Sequence, residues 1–180
     1  MPDQANPVST DRSAPSLQFE NALRAAGRFG TIPSVTDIDF SKIREFAPWI
    51  AIIDPNSEER TLRFSLAGAG LSKFLGQDPI GYDYLDIVDP AIKGDAYDSV
   101  FLMLSRPCGL WQITPAITAD GEEIALEYTG FPVFDQVKCI GQIMFLVHHA
   151  YVGRADIPRL ARMQRATEWR WLETRENFGA

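Results

Sequence analysis

Residues 60–70 read Arg-Thr-Leu-Arg-Phe-Ser-Leu-Ala-Gly-Ala-Gly. Leu62, Phe64 and Leu66 alternate with Thr61, Arg63 and Ser65, the period-two pattern that predicts a half-buried strand. Gly68 and Gly70 then allow a sharp corner that a residue with a Cβ would resist. Just upstream, Trp49-Ile-Ala-Ile-Ile-Asp54 is a short apolar run between Pro48 and Pro55, and it predicts a buried strand. The polar residues 55–59 form the turn between them, so the two strands are expected to pair antiparallel.

Further upstream, residues 32–47 predict an irregular or short-helical connection, with Asp37 or Asp39 capping a turn before Phe40, Ile43 and Phe46. Residues 16–31 predict an N-terminal helical segment. Ser16 caps it, Phe19, Leu23 and Ala26 form one stripe, and Gly27 and Gly30 end it. That stripe lies beyond the main domain and is expected to bury against a second copy; packing on its own sheet is the competing reading. Residues 1–15, rich in Pro, Ser, Asp and Asn, predict a mobile tail.

Downstream of the corner, Leu71, Phe74 and Leu75 suggest one helical turn and residues 84–88 another. Asp89-Pro90 opens a longer helix to about Ser105, with Ile92, Ala96, Val100 and Met103 on one stripe. Three strands are expected next, over residues 109–118, 124–134 and 139–148. Asp120-Gly121 makes the hairpin between the first two, and the third is apolar enough for a central strand. Residues 156–172 predict a C-terminal helix with Leu160, Met163, Ala166 and Trp169 as its stripe, framed by Arg159, Arg162, Arg165 and Arg170.

This order resembles the PAS domain, a five-stranded antiparallel sheet wrapped on one face by small helices. Residues 32–150 are more narrowly similar to a PAS family common in alphaproteobacteria. The matching segments are Asp39-Phe40, Ile52-Ile53-Asp54, Ser65-Leu66-Ala67-Gly68-Ala69 and residues 74–81. Ser65 stands where that family often has Arg, and Ala69 where it often has Thr. The resemblance implies an α+β fold and a non-enzymatic sensory or protein-interaction module of bacterial signalling, often dimeric. It signals no cofactor: residues 91–105 hold no His for a haem, and the flavin-binding Asn-Cys-Arg-Phe stretch is absent.

The net charge of −7 argues against a nucleic-acid partner. No apolar run approaches the roughly 20 residues that cross a bilayer, and the first residues lack signal-peptide character, so a cytoplasmic protein is expected. Cys108 and Cys139 read as small core residues. His148 and His149 point to opposite faces of a strand and cannot readily share a metal.

Glu122, Glu123 and Glu127 read as solvated rather than as acid/base groups. Phe74, Tyr84, Tyr97, Trp111 and Tyr128 read either as plain core or, with Gln112, as the lining of a small-ligand pocket between the long helix and the sheet. Phe19, Leu23, Arg162, Arg165 and Trp169 are the expected contacts to a partner: a second copy or an acidic signalling protein. The alternative is a cone-shaped isomerase or dehydratase. Its mark would be a buried carboxylate paired with His or Tyr in one cavity.

Overall fold

The computed structural model describes residues 12–27 and 31–173. The first strand, β1 (Ile50–Asn56), pairs with β2 (Thr61–Ala67) through the expected turn, in which the Asn56 side chain accepts from the Glu58 and Glu59 amides. After the glycine corner come α2 (Ala69–Leu75), short 3-10 turns, and α3 (Lys93–Ser105). The strands β3 (Cys108–Thr118), β4 (Glu123–Asp135) and β5 (Ile140–His148) follow. All neighbours are antiparallel, in the order β2-β1-β5-β4-β3. The apolar β5 is central, as its composition requires. The fold class is α+β.

The alternation in β2 holds for Leu62 and Phe64, which are buried, and fails at Leu66, which is exposed. Ile53 pairs with Phe64 and Ile52 with Leu66, so Ser65 is an extra residue in the ladder. A bulge of this kind reverses the parity of everything beyond it.

Among the described residues the sheet has seven strands rather than the predicted five. Residues 156–172 are not a helix: they form β6 (Leu160–Met163) and β7 (Glu168–Glu173), both on the outer edge of β3. Leu160 and Met163 face inward three residues apart because the ladder slips between Ile117 and Thr118, and that spacing imitates a helical stripe. Between β6 and β7, the Gln164 amide donates to the Pro115 carbonyl. Pro115 has no N–H to return, and the edge strand breaks opposite it.

The first helix is α1 (Ala14–Ala26), capped by Ser13 rather than Ser16. It lies on its own sheet. Phe19, Ala22 and Leu23 are buried, with the Phe19 ring 6.5 Å from that of Phe131 on β4. The expected dimer contact through Phe19 and Leu23 is therefore corrected: that stripe is already covered within one chain. The predicted tail and the end of the N-terminal segment fall partly on residues 1–11 and 28–30, which lie outside the described residues. Residues 12–15, assigned to that tail, cap and open α1. No helix among the described residues is long and apolar enough to cross a membrane.

Candidate functional site

Successive residues of β4 point to opposite faces of the sheet, and each face carries its own polar chemistry. Leu126 and Tyr128 turn toward α2 and α3. Glu127, Thr129 and Phe131 turn toward α1.

On the α3 side is a cavity of about 190 Å³. Ile92, Ala96, Val100 and Met103 of the α3 region wall it, the same four residues that form the stripe read from the sequence. Leu110, Gln112 and Thr114 of β3 form its floor with Tyr128. Tyr84 closes one end, and the stretch from Met163 to Trp169 forms the outer wall. The Gln112 amide nitrogen donates to Thr114 Oγ1 at 3.0 Å. At the rim, Arg165 donates to Asp95 at 3.0 Å, tying the edge strand to α3.

The phenols here are Tyr128, which is buried, and Tyr84, which is half-buried. Burial pushes both phenols well above their ordinary pKa, and for Tyr128 the nearby Tyr84 adds to the effect. Both are neutral O–H groups at physiological pH. Among the described residues neither hydroxyl has a hydrogen-bond partner, whereas a buried tyrosine hydroxyl usually finds one. Each ring packs against Phe145, with centroids 5.8 Å away for Tyr84 and 4.9 Å for Tyr128. Tyr84, Tyr128 and Met163 also separate this cavity from a smaller apolar void lined by Phe64, Phe74 and Leu126.

Of the predicted lining, Tyr84, Gln112 and Tyr128 come together. Phe74 belongs to the smaller void and stacks on His149. Tyr97 turns away, against Phe101 and under the Arg60 guanidinium. Trp111 lies on the opposite face of the sheet, because it neighbours Gln112 on a strand and the two cannot face the same way. The indole N–H donates to Glu127 at 2.7 Å, and Arg170 lies over its ring. The residues expected to meet a partner also separate: Trp169 walls the cavity, Arg165 is held by Asp95, and Arg162 lies 3.6 Å from Asp89.

Glu127 corrects a second expectation, since it is buried rather than solvated. Its Oε1 accepts from the Trp111 indole and from the Ser13 amide at 3.0 Å, and His148 Nδ1 lies 3.8 Å from Oε2. Ser16 and Thr129 hydrogen-bond beside it at 2.6 Å. Arg12 and Arg24 both pair with the buried Glu20. This polar seam joins α1 to the sheet. Hydrogen bonds to a charged acceptor contribute about 2 kcal/mol each. Glu127→Leu, which leaves Trp111 Nε1 and Ser13 N without an acceptor, is expected to lower stability in urea by at least about 2 kcal/mol. Loss of amide-exchange protection should be concentrated in α1; an unchanged midpoint would show that the carboxylate is not holding the helix.

No family model matches the chain, and no curated protein does. Among solved structures it is similar to VqmA of Vibrio cholerae in a complex with ligand and DNA, at 18% identity, over 62% of this chain and 51% of that one, with a TM-score of 0.46. VqmA bound to DPO gives 18%, 61%, 57% and 0.46. A Rhodobacter sphaeroides LOV protein gives 14%, 78%, 69% and 0.44. The chain spans about half the length of the VqmA in the DNA complex. The fold is α+β, an antiparallel sheet with helices packed on it. It carries two edge strands, β6 and β7, beyond the five that the sequence resemblance implies.

Proposed function

We propose that the chain is a non-enzymatic sensory module of bacterial signalling that binds a small metabolite between α3 and the sheet. The observation that carries this reading is the cavity of about 190 Å³, mostly apolar, with two neutral phenols and two amides, Gln112 and Gln164, at its walls. A dry cavity of about 150 Å³ accommodates benzene, so this one suits a substituted single ring and falls short of a drug-sized molecule. The enzyme alternative needs a carboxylate paired with His or Tyr in one cavity. Here Glu127 faces α1 with His148 and the buried Glu20 of α1 is paired with Arg12 and Arg24, while Tyr84 and Tyr128 face the cavity on the other side of the sheet.

The wall formed by Met163 to Trp169 supports an output role for the C-terminal stretch, because a ligand would touch it directly. A second copy or another signalling protein in the cytoplasm is the recipient in this reading, on the strength of the resemblance.

A metabolite library screened by thermal melting tests the proposal. A ligand at about 100 times its Kd adds about 2.7 kcal/mol to the folded state, or roughly 5 to 10 °C for a domain of this size. Ala96→Phe, which fills the cavity from α3, should keep the fold and abolish the shift. A library that shifts nothing, or a shift that survives in Ala96→Phe, overturns the proposal.

A further inference from the structure

The cavity's polar groups are sorted by what they still have to offer. Thr114 Oγ1 is engaged by the Gln112 amide nitrogen, and Ser99 Oγ donates to the Asp95 carbonyl at 2.7 Å. Tyr84 and Tyr128 keep their hydroxyls without a partner among the described residues, and they face the cavity from two different elements, a 3-10 turn and β4. Among the described residues, the charged side chains in the lining are Asp95 and Arg165, and each occupies the other at the rim. Gln112 and Gln164 add two neutral side-chain amides and Trp169 an indole N–H; the remaining walls are methyl, methylene and ring surface.

An anion brought into this space would lose its hydration and gain no free cation. A cation would gain no free carboxylate. Burial of either without a partner costs far more than two neutral hydrogen bonds return. A neutral molecule with no acceptor would displace water from both phenols and leave them unsatisfied. A neutral molecule with a carbonyl oxygen or ring nitrogen gives both O–H groups an acceptor, and the Gln112 amide oxygen remains for any N–H it carries.

We infer that the cavity selects a compact neutral molecule bearing a hydrogen-bond acceptor, a carbonyl or ring nitrogen, that the Tyr84 and Tyr128 hydroxyls share. This rests on the reading of the cavity as a ligand site. The selectivity comes from the unpaired donors: a site built to hydrogen-bond one group rejects the isostere that lacks it, because its own buried polar atoms are then left bare.

Three aromatic probes of equal non-hydrogen size test the inference: acetophenone, isopropylbenzene and benzoate, titrated into the full chain by protein-observed NMR. Acetophenone is expected to bind about tenfold more tightly than isopropylbenzene, as for one net hydrogen bond, and benzoate more weakly than either. In the Tyr84→Phe/Tyr128→Phe double variant the carbonyl preference should vanish while isopropylbenzene still binds. The retained binding shows that the double variant is folded.

Equal or tighter binding of isopropylbenzene or benzoate by the native chain overturns the inference. A preference that survives in the double variant does so too, as does failure of all three probes to bind. The library screen separates the two readings: if charged or acceptor-free metabolites stabilise the native chain but not Ala96→Phe, the ligand site stands and only this choice of ligand class falls.

Discussion

Gly68→Ala is expected to destabilise the protein by about 4 kcal/mol, or roughly 10 °C in melting temperature. The backbone at Gly68 is ordinary, with φ −70° and ψ 158°, so the cost is not conformational. It is spatial. A Cβ there would stand 2.1 Å from the Ala47 carbonyl oxygen and 2.5 Å from the Pro48 carbonyl group. These are main-chain atoms and cannot swing aside as a side chain would. The Gly68 amide donates to the Ile50 carbonyl at 2.9 Å, and the Ser72 amide donates to the Gly68 carbonyl at 3.1 Å. Relieving the clash would therefore pull β2 from β1 or unwind the start of α2. The control is Gly94→Ala on α3, where a Cβ meets no atom within 4 Å. It should be neutral or stabilise by up to about 1 kcal/mol. Urea unfolding of the two variants checks both values, and a Gly68→Ala protein within about 1 kcal/mol of the native one would show that the corner is loose.

The corner was legible because close approach and tight turning leave the same mark, a glycine where a strand pattern stops. The β3–β4 hairpin was legible for a related reason: Gly121 has φ +84°, which the Asp-Gly pair supplies. The α3 stripe was legible from its spacing, and it does wall the cavity. Parity on the strands was harder to read. Trp111 and Gln112 are neighbours, so only one of them could enter the pocket, and which one depends on pairing partners that the local pattern does not name.

Glu127 read as solvated because polar residues alternating with Leu126 and Tyr128 usually face water. Phe131 and Val133 share its parity and are both buried, which was the available sign that this face is covered too. Residues 156–172 misled for a different reason. A bulge beside β3 put Leu160 and Met163 at helical spacing, while the alternation of Trp169 and Trp171 with Arg170 held the strand signal in only a few residues.

Acidification from pH 7 to pH 4 is expected to cost the native protein about 3 kcal/mol through His149 alone. Its imidazole stacks on Phe74 at 4.8 Å and meets Trp49 edge to face at 4.5 Å. Nδ1 accepts the Tyr151 amide at 3.1 Å, which places the ring proton on Nε2, an atom that finds no acceptor among the described residues. Burial, and secondarily the neighbouring His148, lower its pKa from 6.5 to about 4. Protonation would put a second proton on the nitrogen that now accepts from Tyr151, so donor would face donor. Because the folded pKa lies below the unfolded one, the unfolded chain takes up the proton first. Stability is then complete above about pH 6.5 and falls as pH drops toward 4. His149→Phe keeps the aromatic packing and removes the titration. It loses the Tyr151 acceptor at every pH, which offsets the whole curve without tilting it. The difference in unfolding free energy between native protein and variant should therefore shrink by about 3 kcal/mol between pH 7 and pH 4, while the carboxylates, common to both, cancel. Parallel curves would mean that His149 takes up its proton in the folded protein as readily as in the unfolded chain, and that the Trp49 and Phe74 box does not exclude water from the ring.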